Sequence, residues 1–262
     1  MHSRGAHGGS SERFGYSWAE YSELLPIHEQ QFQGWTALIA PTEWVGCDFL
    51  DAGCGMGRNS YWPLSYGARS CLAIDVDDRS LAAARRTLAP FPGAEVRLMS
   101  VYDIAAENRF DICFSIGVIH HLEHPERALE KMTRAAKRGG KVLIWVYGRE
   151  NNEWIVRFVD PLRRALLSRM PLGLLHHLSI YPTLLLWAAL RLGLSSRSPY
   201  LRLMRAMSFR HVRAIVFDQL LPRIANYWPR AEVERLMHGA GLADIRMHWV
   251  NQMSWCAVGT KP

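Results

Sequence analysis

Three glycines and the residue that follows them, in the segment FLDAGCGMGRNS (49–60), have a spacing that could bind a ligand. Gly53, Gly55 and Gly57 follow an apolar run, where glycine lets the chain turn sharply and lets a ligand approach the main chain. A dinucleotide-binding loop needs a third glycine where Arg58 stands, and a phosphate-binding P-loop needs a Lys-Ser or Lys-Thr pair that this segment lacks. The spacing therefore argues against both phosphate-binding interpretations.

Two aspartates narrow the chemistry of the ligand. Asp75, in AIDVDD, ends the next apolar run, where a carboxylate can accept hydrogen bonds from both hydroxyls of a ribose. Asp51 lies beside the glycines, and its carboxylate would repel a phosphate but attract a cationic amine. A ribonucleoside with a positively charged amino-acid tail satisfies these constraints, and S-adenosylmethionine is such a molecule.

The segment HHLEH supplies candidate bases, because histidine exchanges protons near neutral pH. We predict His121 as the catalytic base and His120 as a residue that contacts the substrate. The alternative interpretation is that one of the paired histidines packs or caps at this bend. A metal site is disfavoured, because the three histidines, which include His124, are crowded and have only Glu123 as a nearby carboxylate.

Strand-like and helix-like segments alternate through the first 150 residues. Short apolar runs predict five strands, at residues 47–53, 70–76, 94–101, 109–117 and 141–148. Residues 125–140 predict an amphipathic helix that two glycines close, and residues 243–262 alternate like a closing antiparallel hairpin. This alternation implies a parallel sheet with helices on both faces, in which the loops after strands one to four meet at the carboxyl edge.

Four of these segments, in this order, resemble class I S-adenosylmethionine-dependent methyltransferases of the small-molecule group. LDAGCGMGRNS resembles the first motif of that family, AIDVDDRSL the second, and FDICFSIGVIHHLEHPERAL with KRGGKVLIWVYG the region of strands four and five. The resemblance covers residues 45–150 and 230–262. It implies an α/β fold with a doubly wound, mostly parallel seven-stranded sheet of the Rossmann-like methyltransferase type and an antiparallel last strand. To this the sequence adds a helical insertion after strand five.

The resemblance also implies a cofactor, S-adenosyl-L-methionine, and residues that hold it. The predicted contacts are Asp51, Gly53, Gly55, Gly57, Asp75, Val76, Ser100, Val101, Ile116 and Gly117. The glycines would line the methionine part, Asp51 would orient the loop and the amino group, and Asp75 would hold the ribose. Val76 would pack on the adenine. Many relatives have an aspartate after strand three, where this sequence has Ser100, so Ser100 and the backbone of Val101 are the candidates for adenine recognition.

Residues 151–229 interrupt the alternation and are helix-like, basic and apolar. Residues 151–262 hold 15 Lys and Arg against 6 Asp and Glu, whereas residues 1–150 hold 16 against 18. The segment 170–190 has no charged residue and is close to the ~20 residues of a membrane span. Its two prolines, two histidines and serine argue against a simple span. An interfacial helix on anionic lipid and a helical lid over the acceptor pocket are the alternatives.

The acceptor is predicted to be a small amphipathic or anionic metabolite that is methylated on an O or N atom. The predicted acceptor contacts are Tyr16, Trp18, His120, Tyr147, Arg210 and Asp218. The aromatic residues that precede strand one could bind the sulfonium by cation–π contact or pack on the sheet, and Arg210 could bind a carboxylate or phosphate. The chain has neither the N/D-P-P-[YFW] motif nor a Pro-Cys pair, which disfavours nucleic-acid substrates. The alternatives are a cofactor-binding protein without transferase activity and a membrane-surface module that acts on a lipid-like acceptor.

Cysteine usage and the first residues indicate the compartment. Five cysteines without a C-x-x-C pair disfavour a disulfide framework or a zinc site and favour a reducing compartment. Residues 1–12 lack the apolar stretch of a signal peptide, so we predict a disordered tail and a cytoplasmic protein. Residues 13–150 and 230–262 would form the cofactor-binding domain, and residues 151–229 would provide any peripheral contact with a membrane. The sequence does not determine the oligomeric state.

Overall fold

The computed structural model of the chain describes residues 11–21, 23–193 and 198–262. Seven strands form one sheet in the order β3-β2-β1-β4-β5-β7-β6. The strands are β1 Asp48–Ala52, β2 Ser70–Asp75, β3 Ala94–Leu98, β4 Phe110–Ile116, β5 Ala136–Tyr147, β6 Ala243–Val250 and β7 Ser254–Thr260. β7 is antiparallel to β5 and β6, and all other neighbours are parallel. The predicted fold class is thereby confirmed.

The central strands are continuous apolar runs because both faces of the sheet are covered. Adjacent residues of β1 point to opposite faces, so Phe49 and Leu50 belong to two different core clusters. On one face Phe49 and Phe114 stack with ring centroids 5.7 Å apart, and Trp44 lies edge-on to both. This two-sided burial fixes the positions of the strand ends that carry the site.

Helices cover both faces and form the insertion. They are α1 Ser11–Glu20, α2 Pro26–Trp35, α3 Arg58–Ser65, α4 Asp78–Leu88, α5 Pro125–Ala135, α6 Asp160–Ala165, α7 Leu172–Leu178, α8 Ile180–Arg191, α9 Pro199–Arg205, α10 Phe209–Leu220 and α11 Arg230–Gly239. Because α1 begins at Ser11, the last two residues of the predicted disordered tail are helical, and residues 1–10 lie outside the described residues.

The prediction of a helix over residues 125–140 was wrong at its end. α5 stops at Ala135, and Ala136 already pairs with Phe110 of β4. The register shifts there, and Gly139 has φ +73°, a conformation that glycine adopts without strain. Its N–H donates to the carbonyl of Lys261 at 2.8 Å. The two glycines therefore serve an irregular start of β5 and do not end a helix.

The insertion leaves and rejoins the sheet domain at one place. Gly148, just after β5, forms an isolated bridge with Trp228, just before α11. Between them α8 packs on α10 around a small core that contains Leu190, Met204 and Val212. The segment Leu172–Arg191, which comprises α7, Ser179 and α8, is long and apolar enough to cross a membrane, yet one face of it is buried against the protein.

Candidate cofactor and acceptor site

A cavity of about 1250 Å³ lies at the carboxyl edge of the sheet. This edge contains the point where the connections change direction, since β1 lies between β2 and β4, and open α/β sheets bind ligands at such points. The volume exceeds the roughly 300–1,000 Å³ of an ordinary small-molecule pocket. Twelve predicted site residues line it: Gly53, Gly55, Asp75, Val76, Ser100, Val101, Ile116, Gly117, His121, Tyr147, Arg210 and Asp218.

The glycine loop needs glycine because of its backbone geometry. Gly53 has φ +90°, and a Cβ there would overlap the side chain of Val118. Gly57 has φ +80° and ends the loop as the N-cap of α3; a Cβ there would lie 3.2 Å from the Cα of Ala84. Gly57 does not line the cavity. Its role in this structure is to let the loop turn into α3 close to Ala84.

Asp75 joins the first two loops of the site. Its Oδ2 accepts from the N–H of Gly55 at 2.9 Å, and its Oδ1 accepts from the N–H groups of Val76 and Asp77 at 2.8 and 3.0 Å. Burial raises the pKa of Asp75, while these three hydrogen bonds oppose the shift. Val76 beside it is 37% exposed and faces the cavity, which gives the ligand an apolar surface next to a carboxylate.

Asp51 lies behind the loop and does not reach the cavity. Its Oδ2 accepts a hydrogen bond of 2.6 Å from the hydroxyl of Ser60 on α3. Burial raises the pKa of Asp51 to about 7, with a smaller contribution from the charge of Asp75. The carboxylate therefore fixes the loop against α3, and its contact with an amino group of the cofactor stays a prediction.

Three orphaned polar atoms lie on the cavity wall. The side-chain oxygens Oε1 of Gln31 and Oδ1 of Asn59, and Nε1 of Trp145, are buried without a hydrogen-bond partner among the described residues. Buried polar atoms are normally paired, and each exception calls for an explanation such as a ligand or water that binds there. Two of the three are acceptors, which suits a ligand with a cationic amine. Sequence reasoning named none of the three, because Gln31 lies on α2, which carries no motif, and because the side-chain directions of Asn59 and Trp145 within their motifs are set by packing.

Of the histidines in HHLEH, His121 and His124 line the cavity, and His121 is the buried one. Its Nδ1 lies 2.6 Å from the carbonyl oxygen of Ile224. Since a carbonyl can only accept, Nδ1 carries the proton and Nε2 is the free base of the neutral ring. Burial lowers the pKa of His121 to about 4, and Phe14 of α1 packs on the ring at 5.0 Å between centroids.

His120 is a core residue in this structure and does not line the cavity. Its ring stacks on Tyr147 with centroids 3.9 Å apart and lies 4.1 Å from the ring of His121. Within the described part of the chain, neither ring nitrogen has a hydrogen-bond partner, and burial holds the pKa of His120 well below its usual range. The packing alternative thus describes His120, and the predicted substrate contact is not seen.

The insertion contributes a polar wall to the far end of the cavity. Asp218 accepts a hydrogen bond of 2.6 Å from Ser17 of α1, and burial raises the pKa of its carboxyl to about 6 while the charge of Arg58 opposes the shift. Beside it Gln219 donates to the hydroxyl of Tyr147 at 3.1 Å and accepts from that of Tyr227 at 3.2 Å. Arg58, which entered the sequence argument only as a missing glycine, is buried in this wall.

Two of the remaining predicted acceptor contacts, Arg210 and Tyr16, hold the N-terminal segment to the insertion. Arg210 pairs with Glu23 at 3.2 Å and donates to the carbonyl of Glu20 at 2.8 Å, although its side chain also borders the cavity. Tyr16 points away from the cavity and packs on His176 and Phe217. The side chain of Trp18 lies outside the described residues.

Strand order, the antiparallel last strand and a ligand cavity over the glycine loop define a class I methyltransferase fold. Residues 50–144 match the family model described as a methyltransferase domain. The tRNA U34 carboxymethyltransferase of Methylococcus capsulatus is 34% identical over 110 residues, which cover 40% of this chain and 33% of that protein. The chain spans less than half the length of the first curated relatives that it matches.

Solved structures show the same fold along most of the chain. An S-adenosylmethionine-dependent methyltransferase of Thermotoga maritima superposes with a TM-score of 0.57 at 15% identity, over 97% of this chain and all of that one. The magnesium protoporphyrin IX methyltransferase of Synechocystis, solved with S-adenosylhomocysteine, gives 0.55 at 13% identity over 90% of this chain and 84% of that one. At this identity the likeness establishes the fold alone.

Proposed function

We propose that the protein is an S-adenosylmethionine-dependent methyltransferase that acts on an O or N atom of a small, amphipathic or anionic acceptor. The observation that carries the proposal is that one cavity connects Asp75 and the glycine loop with the wall built by the insertion, with His121 between them. Such a cavity has room for a donor at one end and an acceptor at the other. The match of residues 50–144 to the methyltransferase domain model supports the same activity.

The residues at the loop end fit the cofactor. Asp75 and Val76 would hold the adenosine, and the unpaired oxygens of Gln31 and Asn59 would accept from the amino group. S-adenosylmethionine, when bound, would supply a methyl group on a positively charged sulfur. The protein then has to align the acceptor and exclude water. α1 contributes Phe14 and Ser17 to the cavity wall, which serves the second need.

His121 would take the proton that the acceptor loses. Its Nδ1–H is committed to the carbonyl of Ile224, so Nε2 is the proton acceptor, and the low pKa keeps the ring neutral at physiological pH. A weak base is sufficient here, because an attacking O or N atom becomes strongly acidic as it gains positive charge. General bases contribute typically ~10²–10⁴-fold in rate.

A small acceptor is favoured over a nucleic acid by the wall at the far end of the cavity. Apolar side chains of the insertion, among them Ile155, Val159 and Leu186, line this part together with the tyrosines. A polyanion would need a basic groove that follows its backbone. The tRNA carboxymethyltransferases match only about two fifths of this chain, so tRNA belongs in the test as a competing acceptor.

Calorimetry with S-adenosylmethionine and S-adenosylhomocysteine tests the cofactor assignment. We expect binding by the wild type and a loss of roughly 1–3 kcal/mol in Asp75→Ala, from the lost charged hydrogen bonds. Asp78→Ala is the matched control, since Asp78 is an exposed carboxylate in the first turn of α4. Equal affinities of all three proteins would contradict the assigned ribose site.

Methyl transfer is tested by incubation with the cofactor and a panel of amphipathic and anionic metabolites, with tRNA included, followed by mass spectrometry. We expect one added methyl group on a small molecule and at least tenfold slower turnover in His121→Gln at unchanged cofactor affinity. Cofactor binding without transfer to any acceptor would support a binding protein without transferase activity. Transfer to tRNA would overturn the proposed acceptor class.

A further inference from the structure

Exposed apolar side chains are concentrated in one stretch of the insertion. Of the fourteen large apolar side chains that are exposed among the described residues, nine lie between residues 154 and 192. These nine, which we call the apolar face, are Trp154, Phe158, Leu162, Leu166, Leu174, Tyr181, Leu184, Leu185 and Leu192. Single exposed apolar residues are ordinary, but a concentration of them marks a site of interaction.

The spacing of the apolar face is that of helix surfaces. Its first four members are four residues apart, from Trp154 to Leu166, which places them in one row along the turns and helices between these residues. Phe158 is 66% exposed and Leu185 of α8 is 75% exposed. The row from Trp154 to Leu166 and the side of α8 that carries Leu185 are therefore outer faces of helices. The opposite sides of these helices contact the protein.

The apolar face borders the opening of the cavity. Phe158 directly precedes Val159, which lines the cavity, and Leu185 directly precedes Leu186, which lines it as well. Neighbouring residues of a helix point about 100° apart. Phe158 and Leu185 thus each lie beside a cavity-lining side chain on the same helix.

Arginine dominates the charge along the apolar face. Between Asp160 and Asp218 the chain has no acidic residue, but it has nine arginines. Asp160 itself is buried and paired with Arg163 and Arg164. A face of large apolar side chains with many arginines and a single exposed carboxylate beside it, that of Glu153, complements an anionic lipid surface. There the apolar side chains enter the acyl boundary and the guanidinium groups remain at the headgroups.

The same helices cannot span a bilayer while they keep their contacts. In the segment Leu172–Arg191, Leu175 and Thr183 are buried against the protein. The main-chain carbonyl of His176 accepts a hydrogen bond of 2.7 Å from Arg213 of α10. Nε2 of the His176 ring lies 3.0 Å from the hydroxyl oxygen of Tyr21. One side of the segment is therefore held by α10 and by the N-terminal segment, and only the other side is free to meet lipid.

We propose that the apolar face docks the protein on an anionic lipid surface, as an interfacial element that does not cross the bilayer, with the cavity opening toward the membrane. Docking requires neither cofactor nor methyl transfer. The consequence that the acceptor is an amphiphile taken from the membrane rests on the proposed function. The two inferences can therefore fail separately.

Vesicle flotation of the full chain tests docking. We expect the wild type to float with vesicles of phosphatidylcholine and phosphatidylglycerol, to float poorly with phosphatidylcholine alone, and to detach in part at high salt. The double variant Phe158→Ser/Leu185→Ser should bind roughly tenfold more weakly or worse, because two large side chains no longer enter lipid. The matched control is Val45→Ser/Leu98→Ser, which changes side chains that are 61% and 53% exposed on the sheet domain and should bind as the wild type does.

A second pair of variants tests the charge. Arg157→Gln/Arg169→Gln should weaken binding to anionic vesicles several-fold, whereas Arg85→Gln/Arg86→Gln on the exposed side of α4 should not. Circular dichroism and calorimetry with S-adenosylhomocysteine show whether each variant is folded. A variant that fails to fold is replaced by single substitutions at the same positions, since exposed positions tolerate them.

Three results would overturn the docking proposal. The first is absence of flotation with anionic vesicles, and the second is equal binding by the apolar-face variant and its control. The third is a wild-type dimer in light scattering that Phe158→Ser/Leu185→Ser converts to a monomer, because the apolar face would then join two copies of the chain. Loss of flotation with intact cofactor binding concerns docking alone, and loss of cofactor binding with intact flotation concerns the proposed function alone.

Discussion

The sheet domain and the insertion use apolar side chains in opposite ways. In the sheet domain the large side chains of the central strands, such as Phe49, Leu50 and Phe114, are completely buried. In the insertion a small core around Leu190 and Val212 supports helices whose outer faces remain apolar and exposed. The first arrangement provides a rigid sheet edge at which a ligand can bind. The second provides a cavity wall whose outer surface is available for the proposed contact with lipid.

The two regions also differ in what their buried polar groups bond to. Around the loop end of the site they hold the backbone, as when Asp75 accepts three N–H groups and Ser115 donates to the carbonyl of Ala52. The insertion adds to such main-chain hydrogen bonds a buried ion pair between Asp160 and Arg163. The packing of its helices thus depends in part on two buried charges that remain together.

The largest contrast is expected from two phenylalanines. Phe114→Ala should lower the free energy of unfolding by about 3–5 kcal/mol, because it leaves a cavity among the buried aromatic rings of the sheet domain. Phe158→Ala should change it by no more than ~0.5 kcal/mol, since that ring is already exposed to water. Urea unfolding followed by circular dichroism measures both. Similar losses in the two variants would mean that the apolar face is covered in solution.

The insertion should be most sensitive at Arg163. Arg163→Met leaves Asp160 buried with only the exposed Arg164 as its ion-pair partner, and breaking such a buried pair costs about 3 kcal/mol or more. Hydrogen exchange should show faster opening of residues 155–220 with little change in β1 and β4. Asp160→Leu/Arg163→Met removes both buried charges and should recover part of the loss. Equal acceleration in β1 would show that the two regions unfold together.

The sequence was sufficient to predict the positions at which the parallel strands end. It was also sufficient to predict most of the residues at the cofactor end of the site. The apolar runs and their following loops put Asp75, Val76 and Gly117 at the carboxyl edge, and the structure places all three on the cavity wall. This works because the side-chain period of a strand and the handedness of its crossovers leave few alternatives.

Side-chain directions in short turns and in the insertion could not be predicted in this way. His120 and His121 are neighbours in one short turn, and only tertiary packing decides that the second faces the cavity and the first stacks on Tyr147. Gln31 reaches the site from a helix face that carries no motif, and Arg58 does so from a motif position whose side-chain direction the spacing of the glycines does not determine. The pairing of Asp218 with Ser17 joins positions that are far apart in the chain, and no local pattern encodes such a contact.

A smaller effect at Gly57 tests whether the glycine loop is shaped from behind. Gly57→Ala should lower stability by about 1–2 kcal/mol, because its φ of +80° is strained for alanine and the new Cβ would press on Ala84. Cofactor affinity should fall less than in Asp75→Ala, since Gly57 does not line the cavity. Gly34→Ala is the control, because a Cβ there meets nothing within 4 Å in α2. A larger affinity loss than in Asp75→Ala would place Gly57 in direct contact with the ligand.

The last expected effect concerns the pH dependence at His121, where the two regions meet through its hydrogen bond to Ile224. Because burial lowers the pKa to about 4, the base stays neutral as the pH falls from 8 to 5, and its contribution disappears only as the pH passes below about 4. The ratio of kcat/KM between the wild type and His121→Gln should therefore be constant over pH 5–8, since Asp218 titrates in both proteins. Between about pH 4 and 6.5 this histidine is protonated in the unfolded chain but not in the folded protein. Raising the pH through that window should therefore increase the free energy of unfolding of the wild type relative to that of the variant. A ratio that changes near pH 6.5 would mean that the cavity opens His121 to water.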